Sequence, residues 1–263
     1  MNSFNKYIKV WWIFSFNSFQ TQVLTRGALM LFLIAKLLRF FIFFIFIIIL
    51  LDKTKVLAGY TLDQTIFFFL SFSLIDTLVQ TIFREVYRFR PTIVNGTFDY
   101  YLIKPFNPLF RALATGPDLT DLFLLIPLIG AIIYYMERLG INNLSNILVY
   151  ILMLLVGIVI ALAFHILVLA LAILTTEIDH AILVYRDVTG MGRFPLDIYR
   201  EPVRGILTFV LPVGIMMSFP AKAILGLLSP QLIMYAISFS VILLIVSIKI
   251  WKVSLKQYSS ASS

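Results

Sequence analysis

The sequence predicts an all-α integral membrane protein that crosses the bilayer six times. Three observations carry that expectation. Residues of the set Ala, Val, Ile, Leu, Met, Phe, Trp, Tyr and Cys fill 61 % of the 263 positions and charged residues 13 %, against about 45–50 % apolar and about 25 % charged in soluble domains. So few polar side chains leave the apolar surface uncovered in water, and the same composition excludes a disordered chain. The apolar residues also gather into stretches near the roughly 20 residues a helix needs to cross about 30 Å of hydrocarbon. Between them lie the charges, 21 Lys and Arg against 13 Asp and Glu, net +8. In a membrane protein such an excess marks cytoplasmic loops.

Residues 2–23 read as an amphipathic interfacial helix within segment 1–26. Phe4, Tyr7, Ile8, Trp11 and Trp12 follow helical spacing, with Asn5, Lys6 and Lys9 elsewhere on the wheel. Trp and Tyr favour the headgroup level. The first span is 28–51; its Lys36 and Arg39 are expected to snorkel toward the cytoplasmic headgroups. The second, 64–83, is interrupted only by Asp76. The third, 122–136, holds Pro127, with Asp118 and Asp121 at its N-terminal end, where a carboxylate suits the helix dipole. The fourth, 146–176, has His165 as its one titratable residue and exceeds a span, so it tilts or protrudes. Segment 205–221 is apolar but carries Pro212 and Pro220, and the last span, 229–248, runs into Lys249, Lys252 and Lys256. With both termini inside, the outer loops hold only Lys53, Lys55, Arg138 and Lys222, apart from the Arg186, Arg193, Arg200 and Arg204 region. One domain, 1–263, accounts for the whole.

The inner loop 84–117 is long, basic and aromatic. Asn95-Gly96 is a turn signal. Thr97 is placed to cap a short helix over 98–103, which Pro105 ends. Phe98, Tyr100, Tyr101 and Leu102 are expected to project from it, toward either a partner's groove or the lipid headgroups; aromatics beside arginines suit an interface.

The run Gly96-Thr-Phe-Asp-Tyr-Tyr-Leu-Ile-Lys-Pro105-Phe-Asn-Pro108 resembles the first inner loop of ABC-2-type permeases, and more closely the viologen- or daunorubicin-type export subgroup. Gly59-Tyr-Thr-Leu62, Arg193-Phe-Pro-Leu-Asp-Ile-Tyr199, the run from Arg204 to Pro212, and Phe219-Pro-Ala221 are similar to the same subgroup in order and spacing. The resemblance implies a membrane subunit with six spans. Two such chains pair, as a homodimer or with a sister permease, and each docks on a separate ATP-binding cassette subunit. It also implies that Thr97, Phe98, Asp99, Tyr100, Tyr101, Leu102 and Lys104 form the coupling helix on that ATPase, and that the N-terminal helix, with Tyr7, Trp11 and Trp12, contacts it. Hydropathy alone makes 205–228 the fifth span. The resemblance instead makes 178–196 the fifth span, with Glu177, Asp179, His180, Arg186, Asp187 and Arg193 in or beside it, and turns 204–228 into an outer re-entrant hairpin. Charges at such depth face protein or water, near the dimer seam or the pathway.

Asp76 is alone in the second span, as attractor of a cationic or amphipathic substrate or as partner of Arg186 or Arg193. His165 is a hydrogen-bonded core histidine or a relay group. Metal sites are not expected: there is no cysteine, and the two histidines lack ligand spacing. There is no GxxxxGK[ST] loop, so the chain is not expected to be an enzyme or to hold a cofactor, and ATP and magnesium belong to the partner. The expected function is the permease of an ATP-driven exporter, moving a hydrophobic or amphipathic substrate, a cationic one included, by alternating access in a bacterial-type cytoplasmic membrane. Its partners are the ATPase, a second permease chain and lipid, not nucleic acid. A gradient-driven transporter relaying protons through Asp76 and His165, or a membrane assembly factor, are the other readings.

Overall fold

The computed structural model describes residues 3–24, 26–114, 116–118, 121–175 and 178–259. Asn2, Glu177, residues 260–263 and the side chains of Phe4 and Arg26 lie outside the described residues. Among the described residues the only regular structure besides helices is a lone antiparallel bridge between Leu57 and Tyr60. In order come α1 (Ser3–Leu24), α2 (Arg26–Thr54), α3 (Leu62–Phe83), α4 (Phe89–Val94), α5 (Asp99–Leu102), α6 (Pro108–Ala114), α7 (Leu122–Arg138), α8 (Leu144–Thr175), α9 (Asp179–Gly190), α10 (Val203–Gly205), α11 (Phe219–Ile224) and α12 (Pro230–Gln257).

The helix ends follow local chemistry. Thr61 and Gln64 form a reciprocal capping box at α3: the Gln64 amide N–H donates to Thr61 Oγ1, and the Thr61 N–H donates to Gln64 Oε1. Ser229 caps α12 with Pro230 in its first turn, where the missing N–H costs nothing. Gly96 takes φ +68°, the left-handed conformation that the Asn95-Gly96 turn requires.

Among the described residues, four helices are long and apolar enough to cross a membrane: Leu29–Thr54, Leu62–Val94, Leu144–Thr175 and Pro230–Gln257. A fifth unit, Val203–Val210 plus Gly214–Ile224, is bent by 81°. The chain is therefore a multi-pass membrane protein by length and composition. α3 is its axis, buried at every position from Thr65 to Phe72, as expected of a helix apolar all round.

Polar contacts fix how the shorter elements lie along α3. The Asp118 N–H donates to Thr81 O at one end of α3 (3.0 Å), and Arg138 pairs with Asp63 at the other (2.9 Å). α7 thus runs the length of α3 with 17 residues, roughly 26 Å. Arg90 beyond the same first end of α3 pairs with Asp179 (3.1 Å). Tyr60 before the other end donates to Asp197 (3.0 Å). Segment 179–197 therefore covers the same depth, although α9 itself has only 12 residues, roughly 18 Å.

The bent unit behaves differently. Lys222, in its second limb, bonds Asp197 (2.9 Å), and Arg204, in its first, adds to the field on that carboxylate. The first limb leaves the Tyr60 end and the second returns to it, while its middle reaches Gly157 halfway along α8. A Cβ on Gly157 would lie 2.8 Å from Met216 O and 3.5 Å from Ile75 Cδ1. Gly157→Ala therefore pushes on a backbone carbonyl with nowhere to retreat. The expected loss is about 1–3 kcal/mol, read as a lower midpoint in detergent unfolding, with Gly130→Ala, which meets nothing within 4 Å, as the silent control.

Candidate functional site

The loop after α3 builds a rigid face at the Arg90 end. Phe98 does not project as expected. It is fully buried (0 % exposed), ringed by Phe89 (5.4 Å between centroids), Tyr258 (5.1 Å) and Trp251 (6.3 Å). Apolar aromatic surface gains more from a protein core than from water, and the C-terminal end of α12 supplies that core. Nor does Thr97 cap α5; its hydroxyl donates to Thr92 O (3.2 Å), and Phe98 occupies the cap position without a side-chain bond. Asp99 accepts from Tyr258 OH (3.0 Å), and Tyr101 carries the Arg111 guanidinium over its ring at 3.9 Å. What remains outward is Tyr100 (60 % exposed), Leu102, Ile103 (75 %) and Lys104. Ile103 stands out for its exposure; sequence reasoning placed it in the helix but not among the docking residues. Its signal was its apolar character next to Lys104 and Pro105.

α1 lies against this loop. Tyr7 OH accepts from the Asn107 N–H (3.3 Å), and its ring packs edge-on to Phe110 at 4.8 Å. Lys6 Nζ donates to Pro105 O (3.2 Å) and sits over the Phe106 ring. Trp11 and Trp12 pack on each other, with Trp12 outward.

A second feature is a cleft between α2, α3, α7 and the 190–193 turn. Lys36 does not snorkel: it bonds Asp121 and lies 3.7 Å from Asp118, with 17 % of its side chain exposed. The two carboxylates expected to serve the α7 dipole instead neutralise this lysine. Arg39 lines the cleft with Asp76, Arg186 and Arg193. Among the described residues Asp76 has no carboxylate–guanidinium contact within 4 Å, but Arg39, Arg193 and Arg186 all act on it electrostatically. Arg193 lies 5.5 Å from the Phe43 ring centroid and 5.8 Å from that of Phe72. The polar part of the cleft measures about 350 Å³, and an adjoining aromatic part lined by Phe40, Phe41, Phe43 and Phe69 about 160 Å³. Asp187 is exposed on α9 and lines neither part.

His165 is buried, against Phe83, Tyr87 and Tyr185. Its Nδ1 bonds Ala161 O (2.7 Å), which only accepts, so Nδ1 carries the proton and Nε2 accepts from Tyr87 OH (3.4 Å). Gln80 Nε2 in turn donates to Tyr87 OH, and its Oε1 accepts from Arg84. An amide so engaged holds Tyr87 and Arg84 in place. At the Tyr60 end, burial pushes the Tyr60 hydroxyl up, and the Asp197 carboxylate adds to this. The same Asp197 carboxylate also accepts from Lys222 Nζ (2.9 Å). No group of three or more metal-ligating side chains occurs among the described residues.

The model of the ABC-2 family transporter proteins matches residues 37–262. The chain belongs to that family. It matches no curated protein and no solved structure. For an ABC-2 family protein, the helices just described are the membrane component of a transporter, and the matched region takes in α3, the α5 face and most of the cleft. It begins inside α2, so α1 precedes it.

Proposed function

We propose that this ABC-2 protein is the permease of an ATP-driven exporter of the viologen- or daunorubicin-type subgroup. It moves a hydrophobic or amphipathic substrate by alternating access between two paired permease chains. The observation that carries the reading is the α5 face. A stiff loop, anchored from beneath by Phe98, presents Tyr100, Leu102, Ile103 and Lys104 outward at the end of the molecule where Arg84, Arg88, Arg90, Lys104, Arg111 and the lysines of α12 also gather. Apolar and aromatic anchors rimmed by cations suit a protein groove. The positive-inside rule makes this end, and both termini, cytoplasmic. ATP and magnesium act in the docked cassette subunit, and α1, seated on the same loop, extends the docking surface or lies in the headgroups.

Six crossings are the best account of the polar contacts along α3. Four come from the long apolar helices, the fifth and sixth from α7 and segment 179–197, each held at both ends of α3. The bent 203–224 unit is then an outer re-entrant hairpin, its backbone covered by α8 and α3 as irregular structure at that depth requires. A cytoplasmic membrane of bacterial type is the setting.

The chain has no native cysteine, so Ile103→Cys introduces a unique thiol. A membrane-impermeant maleimide is expected to label it in inside-out vesicles but not in intact cells, and the bound ATPase subunit is expected to shield it. Labelling in intact cells would overturn the orientation; undiminished labelling in the assembled complex would overturn the docking.

A further inference from the structure

We infer that the cleft beside Asp76 binds an amphipathic anion: one negatively charged head among the arginines, with an apolar body in the phenylalanine part. The inference deepens the permease reading and rests on it for the cleft being part of the substrate path.

The charges of the lining decide the sign. Lys36 is already taken by Asp118 and Asp121, and Arg84 by Gln80 and by the rings of Phe32 and Tyr87. Arg39, Arg186 and Arg193 line the cleft with Asp76 and all three act on its carboxylate, and among the described residues none of the three has a carboxylate oxygen within 4 Å. Counted with Asp118 behind Lys36, five cations (Lys36, Arg39, Arg84, Arg186 and Arg193) face three acids (Asp76, Asp118 and Asp121), an excess of two positive charges. They sit on helices that cross the hydrocarbon, where an uncompensated cation is costly and its counter-charge is normally found close by. A cationic substrate would add to that excess.

The shape agrees. The two parts of the cleft share Arg39, Phe72, Asp76 and Arg193, so the polar and aromatic walls are continuous. Arg193 stands at the junction, stacked toward Phe43 and Phe72, which leaves its N–H edge for a planar or tetrahedral oxyanion. The polar part alone, about 350 Å³, falls within the size of small-molecule sites, about 300–1,000 Å³.

A carboxylate, sulfate or phosphate head meets these needs equally, and it arrives either on a bilayer lipid or on a soluble amphiphile. The test uses the purified full chain in phosphatidylcholine nanodiscs, with a fluorescent decyl phosphate as probe and the matched decyl trimethylammonium as its counterpart. The anion is expected to bind saturably and about tenfold or more tighter than the cation, the equivalent of one charge-assisted hydrogen bond. The pair Arg39→Gln and Arg193→Gln is expected to remove that preference, and Arg39→Lys with Arg193→Lys to keep most of it. Asp76→Asn, which alters one atom of the side chain, is expected to tighten the anion and serves as the second reading should the glutamine pair fold poorly. Displacement by added phosphatidylglycerol identifies a lipid source and its absence a soluble one; both uphold the anion site. Equal or tighter binding of the cation, or anion affinity indifferent to all these substitutions, overturns it. The assay contains no ATPase and reads no transport, so failure of the docking face leaves its result unchanged.

Discussion

Lys36→Met is expected to destabilise the folded chain by about 3–5 kcal/mol, the usual consequence of removing one partner from a buried ion pair. Asp118 and Asp121 lie behind it with only 6 % and 2 % of their side chains exposed. Without the ammonium, two carboxylates are left close together in a place water hardly reaches. Methionine fills the same volume, so lost packing contributes little. The triple variant Lys36→Met, Asp118→Asn, Asp121→Asn is expected to recover most of the loss, because it removes the charges along with their partner. Detergent unfolding of the three proteins is the measurement. Wild-type stability in the single variant would mean that Lys36 is free to reach the headgroups after all, and that α2 is not tied to the start of α7.

Phe98→Ala is expected to cost about 3–5 kcal/mol, the range for truncating a large buried aromatic. The four rings it touches, Phe89, Tyr101, Trp251 and Tyr258, come from α4, the α5 loop and the end of α12, so the cavity opens at the joint that makes the loop stiff. The effect is on folding and not on contact with a partner. The fraction that folds is expected to bind the ATPase subunit normally, while Ile103→Asp, at a residue with 75 % exposure, is expected to leave unfolding unchanged and abolish co-purification. The reverse pattern, a stable Phe98→Ala that no longer binds, would restore Phe98 to the docking surface.

These cases mark where the sequence could and could not be read. A run such as 144–175 declares a membrane helix by itself, since apolar length is a property of consecutive residues. The caps of α3 and α12 and the Asn95-Gly96 turn were equally local, set within four residues of chain. Phe98 looked like a docking residue because its burial is supplied by Trp251 and Tyr258, more than 150 positions away. Lys36 looked like a snorkelling lysine because Asp121 lies 85 residues further on. The arginine cluster was invisible as a cluster: Arg39, Asp76, Arg186 and Arg193 come from three separate helical segments, and nothing in their spacing announces a shared cleft.

What the chain determined by composition and periodicity alone was that it is helical, embedded in a bilayer, and basic on one side, because hydrocarbon admits few alternatives to long apolar helices. The fold decided which charges meet. It gave Lys36 its two acids, turned Phe98 inward and Ile103 outward, and left three guanidiniums around a single carboxylate. Electrostatics and packing act through space, over a few ångströms, and the distance along the chain does not enter.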